Sequence, residues 1–260
     1  MWDDIKSIYG SAGAFALACP LLFLIPVLVE LAQHVVEIRA GMYLGPEQAQ
    51  AAEGDQMRLY FGFAKTIALT LPGYWFVRYV MFDRSAAGAR AVEWPAAGLF
   101  GVILLVMALQ SWLALFAPSL AETIGLSGTA STVFSVVETI VLQIVTIYLF
   151  AWMVAWPLGK AAIGPIRSIG VMHGSFWYAL GLFVGAFLPL MVVHYALAAT
   201  AILTGGPALD WALMALDSIV VGFLALNLAG ATVYATRHAA GRKGIALLPP
   251  DRAEPAFGRV

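Results

Sequence analysis

Charged side chains are scarce in this sequence, in which only 11% of the residues are Asp, Glu, Lys or Arg. Domains that dissolve in water carry about 25% charged residues. The mean hydropathy of +0.87 and the 62% share of hydrophobic residues exclude a water-soluble enzyme and a disordered chain. A net charge of only −1 excludes a nucleic-acid-binding protein. We therefore interpret the sequence as an all-α, polytopic membrane helix bundle.

Cysteine and familiar catalytic motifs are also lacking. The single cysteine, Cys19, can form neither a disulfide within the chain nor a cysteine-based metal site. The sequence contains no HExxH zinc motif, no GxSxG nucleophile elbow and no P-loop. Of the four histidines, only His34 and His194 form a conceivable haem pair, and their predicted depths differ by roughly a turn or two. We therefore predict no enzymatic activity, no catalytic residue, no metal and no cofactor.

Long, mostly apolar runs, by contrast, are abundant and predict six membrane-spanning helices. Each run is long enough to cross about 30 Å of hydrocarbon at 1.5 Å per residue. The six runs are residues 7–29, 59–82, 95–118, 133–157, 175–204 and 210–235. Together they define one transmembrane domain over residues 1–236, followed by a basic, proline-containing tail over 237–260.

Two shorter segments are predicted to be interfacial helices. In residues 160–173 isoleucine recurs every three positions beside Lys160 and Arg167, a pattern typical of a helix in the headgroup plane. Residues 1–9 place their apolar side chains near one helical face and lead into the first span. Between the last two spans, residues 205–207 (Gly-Gly-Pro) predict a tight turn.

Basic residues are distributed unevenly between the two sides of the predicted bundle. The side that holds both termini carries ten: Lys6, Arg84, Arg90, Lys160, Arg167, Arg237, Arg242, Lys243, Arg252 and Arg259. The opposite side carries only Arg39 and Arg58. Because Lys and Arg accumulate in cytoplasmic loops, we predict that both termini are cytoplasmic. The loop over 39–58 is then predicted to lie outside.

Ionisable residues inside predicted spans are candidate functional residues, because each costs roughly 2.5–3.5 kcal/mol on insertion scales. Lys65, Glu138 and Asp217 lie on three different spans at similar predicted depth, in the outer half of the membrane. His194 lies near the same level. We interpret these four as a candidate buried polar cluster. Three roles remain open: an ion or proton relay, an anchor for a lipid headgroup, or an ion pair that joins helices.

A second group of polar residues follows the first predicted span. Glu30, Gln33, His34 and Glu37 are expected to form a polar turn at its outer end. We treat Glu30, His34 and Glu37 as a candidate outer-edge polar patch. Arg78, near the inner end of the second span, is expected to reach the membrane surface with its long side chain.

The C-terminal half carries a further pattern. Trp156-Pro157 ends a predicted span, Arg167-Ser168 lies in the interfacial segment, and residues 173–177 (HGSFW) lead into the next span. In this order and spacing the chain resembles the YciC-type family of six-span bacterial inner-membrane proteins. That family is similar to the membrane domain of some glycerophosphoryl diester phosphodiesterases. The resemblance implies an inner-membrane bundle tied to envelope or lipid homeostasis, without the phosphodiesterase domain.

Three functions remain open at this point. The first is a non-enzymatic inner-membrane protein that binds lipid or a membrane-protein partner. The second is a small transporter or channel that uses the level of Lys65, Glu138 and Asp217, although no internal repeat supports it. The third is an accessory subunit of a bioenergetic complex. The expected partners are membrane lipids and either a membrane-protein complex or a second copy of the chain, and no nucleic acid.

Overall fold

The computed structural model describes residues 1–248, and every regular element in that part of the chain is helical. The α-helices are α1 (Trp2–Ala18), α2 (Pro20–Arg39), α3 (Pro46–Ala52), α4 (Gln56–Thr70), α5 (Gly73–Met81), α6 (Ala86–Arg90), α7 (Trp94–Phe116), α8 (Leu120–Thr123), α9 (Gly128–Tyr148), α10 (Phe150–Ala155), α11 (Pro165–Met172), α12 (Phe176–Thr204) and α13 (Pro207–Arg242). Short 3₁₀ turns lie at Met42–Leu44 and Trp156–Leu158. The all-α prediction is confirmed.

Five helices in the described part of the chain are long and apolar enough to cross a membrane, namely α2, α7, α9, α12 and α13. They match the prediction of a membrane helix bundle. Helix α7 corresponds to the predicted span 95–118, and α12 and α13 correspond to the last two. A turn at Gly205-Gly206 separates α12 from α13, as expected from the two glycines.

The first membrane helix begins later than predicted. The expected span 7–29 is divided at Cys19, where α1 ends and α2 begins with Pro20. Proline suits the first turn of a helix and interrupts an interior, because it lacks a backbone N–H. Helix α2 then continues to Arg39. Residues 30–37 are therefore part of a helix, and the predicted polar turn is wrong.

The second predicted span, 59–82, is also divided. Helix α4 ends at Thr70 and α5 begins at Gly73, on either side of Pro72. Neither half alone is among the five membrane-crossing helices. The fourth predicted span shows a milder break, since α9 ends at Tyr148 and α10 follows directly. The count of six spans therefore remains a prediction.

The segment before α12 forms a helix of its own. Helix α11 is separated from α12 by a turn that includes Gly174 at φ 81°. Ser168 fixes α11, because its hydroxyl donates to the Tyr148 carbonyl at 2.8 Å and accepts from the Trp152 N–H at 3.0 Å. Its orientation relative to the membrane remains a prediction.

Helix α13 occupies the centre of the bundle, packing against α1, α2, α5, α10 and α12. Small residues allow the close approach. A Cβ atom at Gly222 would lie 2.6 Å from Val27 on α2, and one at Gly230 would lie 2.7 Å from Ile8 on α1. Helix α13 extends to Arg242, so residues 237–242 of the predicted tail are helical. The rest of that tail, from residue 249, lies outside the described residues.

Arg78 does not extend to the surface as expected. Its side chain is fully buried. Nη2 donates to Glu93 Oε1 at 2.8 Å, and Nη1 donates to the Pro157 carbonyl at 3.3 Å. The guanidinium also lies over the rings of Tyr74 and Phe82. Arg78 therefore joins α5 to the start of α7 and to the turn after α10.

Candidate functional site

One face of α2 is polar although the helix is apolar overall. Glu30, Gln33, His34 and Glu37 follow the spacing i, i+3, i+4 and i+7, so they share that face. All four are buried. Helices α4 and α13 pack against α2 and cover them.

His34 lies at the centre of this face. Its Nδ1 lies 2.8 Å from Glu37 Oε2. Its Nε2 lies 3.0 Å from Asp217 Oδ2 and 3.4 Å from Glu30 Oε1. One imidazole thus contacts three carboxylates.

Asp217 connects the face to the last two long helices. It projects from α13, is fully buried, and contacts His194 of α12. The distance from His194 Nδ1 to Asp217 Oδ1 is 2.7 Å. Asp217 therefore lies between two imidazoles, one from α2 and one from α12.

Helix α4 supplies the cations. Lys65 Nζ donates to Glu30 Oε1 at 2.7 Å, and Arg58 Nε donates to Glu37 Oε1 at 3.1 Å. These pairs offset two of the three buried negative charges. Without them, each carboxylate would have to shed its charge or reach water.

Glu37 is held from two more directions. The Tyr43 hydroxyl donates to its Oε2 at 2.7 Å, and Gln33 Nε2 donates to its Oε1 at 2.9 Å. Tyr43 lies beyond the end of α2. Burial raises the pKa of its phenol most, and the negative charge of Glu37 raises it further. Tyr43 therefore remains protonated and serves as a donor.

The structure unites most of the two groups predicted from the sequence. Lys65, Asp217 and His194 meet the patch of Glu30, His34 and Glu37 in what we call the α2 cluster. These six residues are its predicted members, and Arg58, Tyr43 and Gln33 complete it.

Glu138 is the exception. It is half-buried on α9, and within residues 1–248 it has neither an ion pair nor a hydrogen bond. Little of helix α9 is buried, since buried residues make up only 6% of its most apolar stretch of 18 residues. Helix α9 contributes little to the buried interior, and the carboxylate that Lys65 contacts is Glu30 instead of Glu138.

Arg58, Gln33 and Tyr43 were not among the predicted site residues. The spacing of the polar residues on α2 was the available signal. Polar positions at i, i+3, i+4 and i+7 indicate one face of a helix, not a turn. A buried polar face requires partners, and Arg58 and Lys65 are the first cations along the chain after Arg39, which ends α2.

A cavity of about 440 Å³ borders the α2 cluster. Lys65 and His194 lie on its wall, and most of the remaining lining is apolar. The apolar lining includes Leu69, Val77, Phe100, Ile103, Met107, Phe150, Met153, Phe187, Met191, Val221, Leu224 and Leu228. The cavity thus extends from a charged cluster into the hydrophobic part of the bundle.

Three residues of the α2 cluster lie close enough together to bind one metal ion. Glu30, His194 and Asp217 each offer an atom, and these three atoms lie within 4.8 Å of one another. The sequence predicts no metal, since it lacks a cysteine-based site and any contiguous metal-binding motif. These ligands come from three helices, so no contiguous motif could reveal them.

Comparison of the chain with protein-family models, with curated proteins and with solved structures finds no match. The resemblance to the YciC-type family therefore remains a prediction.

Proposed function

We propose that this protein binds a lipid-like amphiphile inside its helix bundle, in the bacterial inner membrane, with both termini in the cytoplasm. The cavity beside the α2 cluster is the observation that supports binding. The ten-to-two distribution of basic residues supports the orientation. No catalytic step is part of the proposal.

The size and chemistry of the cavity favour a lipid. Its volume of about 440 Å³ lies within the roughly 300–1,000 Å³ that ligand sites usually have. Such sites are mainly apolar and hold a few polar groups that orient the ligand. Here the polar groups at one end are Lys65 and His194, both of which retain some exposure.

This arrangement favours one orientation of the ligand. The apolar chain would lie among α5, α7, α10, α12 and α13, where the lining is aliphatic and aromatic. The polar end would lie beside Lys65 and His194, where its groups find hydrogen-bond partners. Burying apolar surface contributes roughly 25 cal/mol per Å², so an acyl or isoprenoid chain gains most from this cavity.

Transport of an ion remains the alternative and has less support. A relay needs polar groups or water along the whole path through the membrane. In the described part of the chain, the cavity wall carries one lysine and one histidine, Lys65 and His194, and no carboxylate. Glu138, which the transport hypothesis also required, lies outside the α2 cluster.

Photolabelling with a diazirine fatty acid tests the proposal on full-length protein in mild detergent. We expect crosslinks on cavity residues of the wild-type protein, identified by peptide mass spectrometry and reduced by unlabelled fatty acid. Ala225 lines the cavity, and Ala225→Phe would fill it. This variant should lose most cavity labelling, by at least about fivefold, since binding there depends on apolar contact.

Ala215→Phe is the matched control, because Ala215 lies on the same helix with its side chain exposed. Crosslinking to its cavity residues should equal that of the wild-type protein. Labelling restricted to the outer surface of the bundle, or equal cavity labelling in both variants, would show that the cavity binds no such ligand.

A further inference from the structure

We propose that the α2 cluster contains a binding site for one divalent first-row transition-metal ion of the Zn²⁺ class. The ligands are Glu30, His34, His194 and Asp217. This site is additional to the lipid cavity, and neither proposal depends on the other.

The ligand atoms already surround a common point. One atom each from Glu30, His194 and Asp217 lies within 4.8 Å of the other two. Atoms bound to one tetrahedral Zn²⁺ at about 2.0–2.2 Å lie roughly 3.3–3.6 Å apart. Closing the site therefore requires side-chain movements of about 1 Å. His34 Nε2, 3.0 Å from Asp217 and 3.4 Å from Glu30, supplies the fourth atom.

The ring of His34 is oriented so that its Nε2 lies near two of the other ligands. Nε2 lies 3.0 Å from Asp217 Oδ2 and 3.4 Å from Glu30 Oε1, while Nδ1 lies 2.8 Å from Glu37. An imidazole binds a metal ion through one ring nitrogen and can donate a hydrogen bond from the other. A metal ion bound by Nε2 and by Asp217 would leave Nδ1–H to donate to Glu37.

Glu37 then acts as the carboxylate that does not bind the metal but accepts a hydrogen bond from a metal-binding histidine. Metal-binding imidazoles commonly donate their other N–H to a carboxylate, which fixes the orientation of the ring. Glu37 is itself held by Tyr43 and Arg58. The imidazole of His34 is thereby fixed before any ion binds.

Glu30 provides a second, independent indication. The side chain is fully buried and its Oε1 accepts from Lys65. Its Oε2 is also buried, and no group within residues 1–248 donates a hydrogen bond to it. Buried carboxylate oxygens are normally paired or bound to metal. A cation beside Asp217 would pair this oxygen.

The ligand types select the class of metal. Two imidazoles and two carboxylates suit Zn²⁺ and its first-row neighbours, whereas Mg²⁺ and Ca²⁺ prefer oxygen ligands alone. Charge favours binding as well. Three carboxylates in the α2 cluster face two fixed cations, Lys65 and Arg58, so one negative charge remains when both imidazoles are neutral.

Metal reconstitution of the full-length protein in mild detergent tests the site. After treatment with EDTA, the protein is titrated with Zn²⁺ and with Co²⁺. We expect about one ion per chain, and visible Co²⁺ bands typical of nitrogen and oxygen ligands. His194→Gln and Asp217→Asn should weaken Zn²⁺ binding at least about tenfold, and His194→Gln should alter the Co²⁺ spectrum.

Asp210→Asn is the matched control, because Asp210 is buried on the same helix as Asp217 but lies outside the α2 cluster. Asp210→Asn should bind Zn²⁺ with the same affinity and stoichiometry as the wild-type protein. If the ligand variants fail to fold, the wild-type stoichiometry and spectrum decide. Failure of the wild-type protein to bind Zn²⁺ would overturn the proposal. An unchanged Co²⁺ spectrum in His194→Gln would overturn it equally.

Discussion

Lys65 shows how an ionisable residue is accommodated within an apolar bundle. Its ammonium lies 2.7 Å from Glu30, a fully buried carboxylate, and 22% of its side chain remains exposed. Removing one member of a buried ion pair costs about 3–5 kcal/mol, because the other charge is left without a partner. The exposure of Lys65 reduces that cost, since water screens part of the interaction.

We therefore expect Lys65→Met to lower the free energy of unfolding by about 2 kcal/mol, measured in detergent with EDTA present. Glu30→Gln in the same chain should recover part of the loss, because it removes the unpaired charge. Arg84→Met, at an exposed position between α5 and α6, is the control and should change stability little. Failure of the double variant to recover would show that Glu30 is not the partner of Lys65.

The residue types of the site could be predicted from the sequence, but not their pairing. Ionisable residues within apolar runs identified Lys65, Asp217 and His194. Which carboxylate meets Lys65 depends on how each helix is rotated about its axis, and α9 is too uniformly apolar to show which side faces the bundle. Glu138 therefore looked as suitable as Glu30.

At the scale of elements, two predicted spans were wrong because each is divided into two helices at a proline. Pro20 and Pro72 each lie at a helix break. A proline within an apolar run can kink a helix or end it, and the outcome depends on tertiary contacts that supply partners for the freed carbonyls. The shift of α2 toward the C-terminus moved Glu30, His34 and Glu37 from a turn to a buried face.

The contact between α13 and α2 provides a prediction at this scale. A side chain at Gly222 would lie 2.6 Å from Val27 and 2.9 Å from Phe23, closer than packed atoms approach. Gly222→Ala should separate the two helices and destabilise the protein by about 1–3 kcal/mol, seen as a lower Tm in detergent. Val27 and Phe23 belong to the helix that also carries His34.

Gly241→Ala is the control for that experiment, because Gly241 lies in the same helix with open space around it. Alanine has the higher helix propensity, so this variant should be neutral or slightly more stable. Equal Tm values for both variants would mean that α13 and α2 do not pack as closely as described.

At the scale of the whole molecule, composition alone was sufficient for the class. A chain with 11% charged residues and runs of more than twenty uncharged residues is expected to form membrane helices whatever its detailed packing. The same argument cannot count the spans, because α4 and α5 divide one apolar run into two short helices. Their direction through the membrane depends on contacts that composition does not record.

Orientation is testable by cysteine accessibility. Gln48 is exposed on α3, in the loop predicted to lie outside. In a chain with Cys19→Ser, Gln48→Cys should react with a membrane-impermeant maleimide in intact cells, because positive charge holds the opposite side in the cytoplasm. Ala87→Cys, exposed on α6, should react only after the membrane is permeabilised. The reverse pattern would invert the proposed topology.

The long separation between partners in the α2 cluster has a consequence for biosynthesis. His34 and Asp217 are 183 positions apart, and His194 also precedes Asp217. A ribosome therefore delivers Glu30, His34 and Glu37 to the translocon long before α13 exists. During that interval these groups must retain water or protons, and α2 can complete its contacts only when α13 arrives. Chains truncated before residue 207 should then be degraded as unassembled intermediates, since they lack α13, the helix that carries Asp217 and covers the polar face of α2.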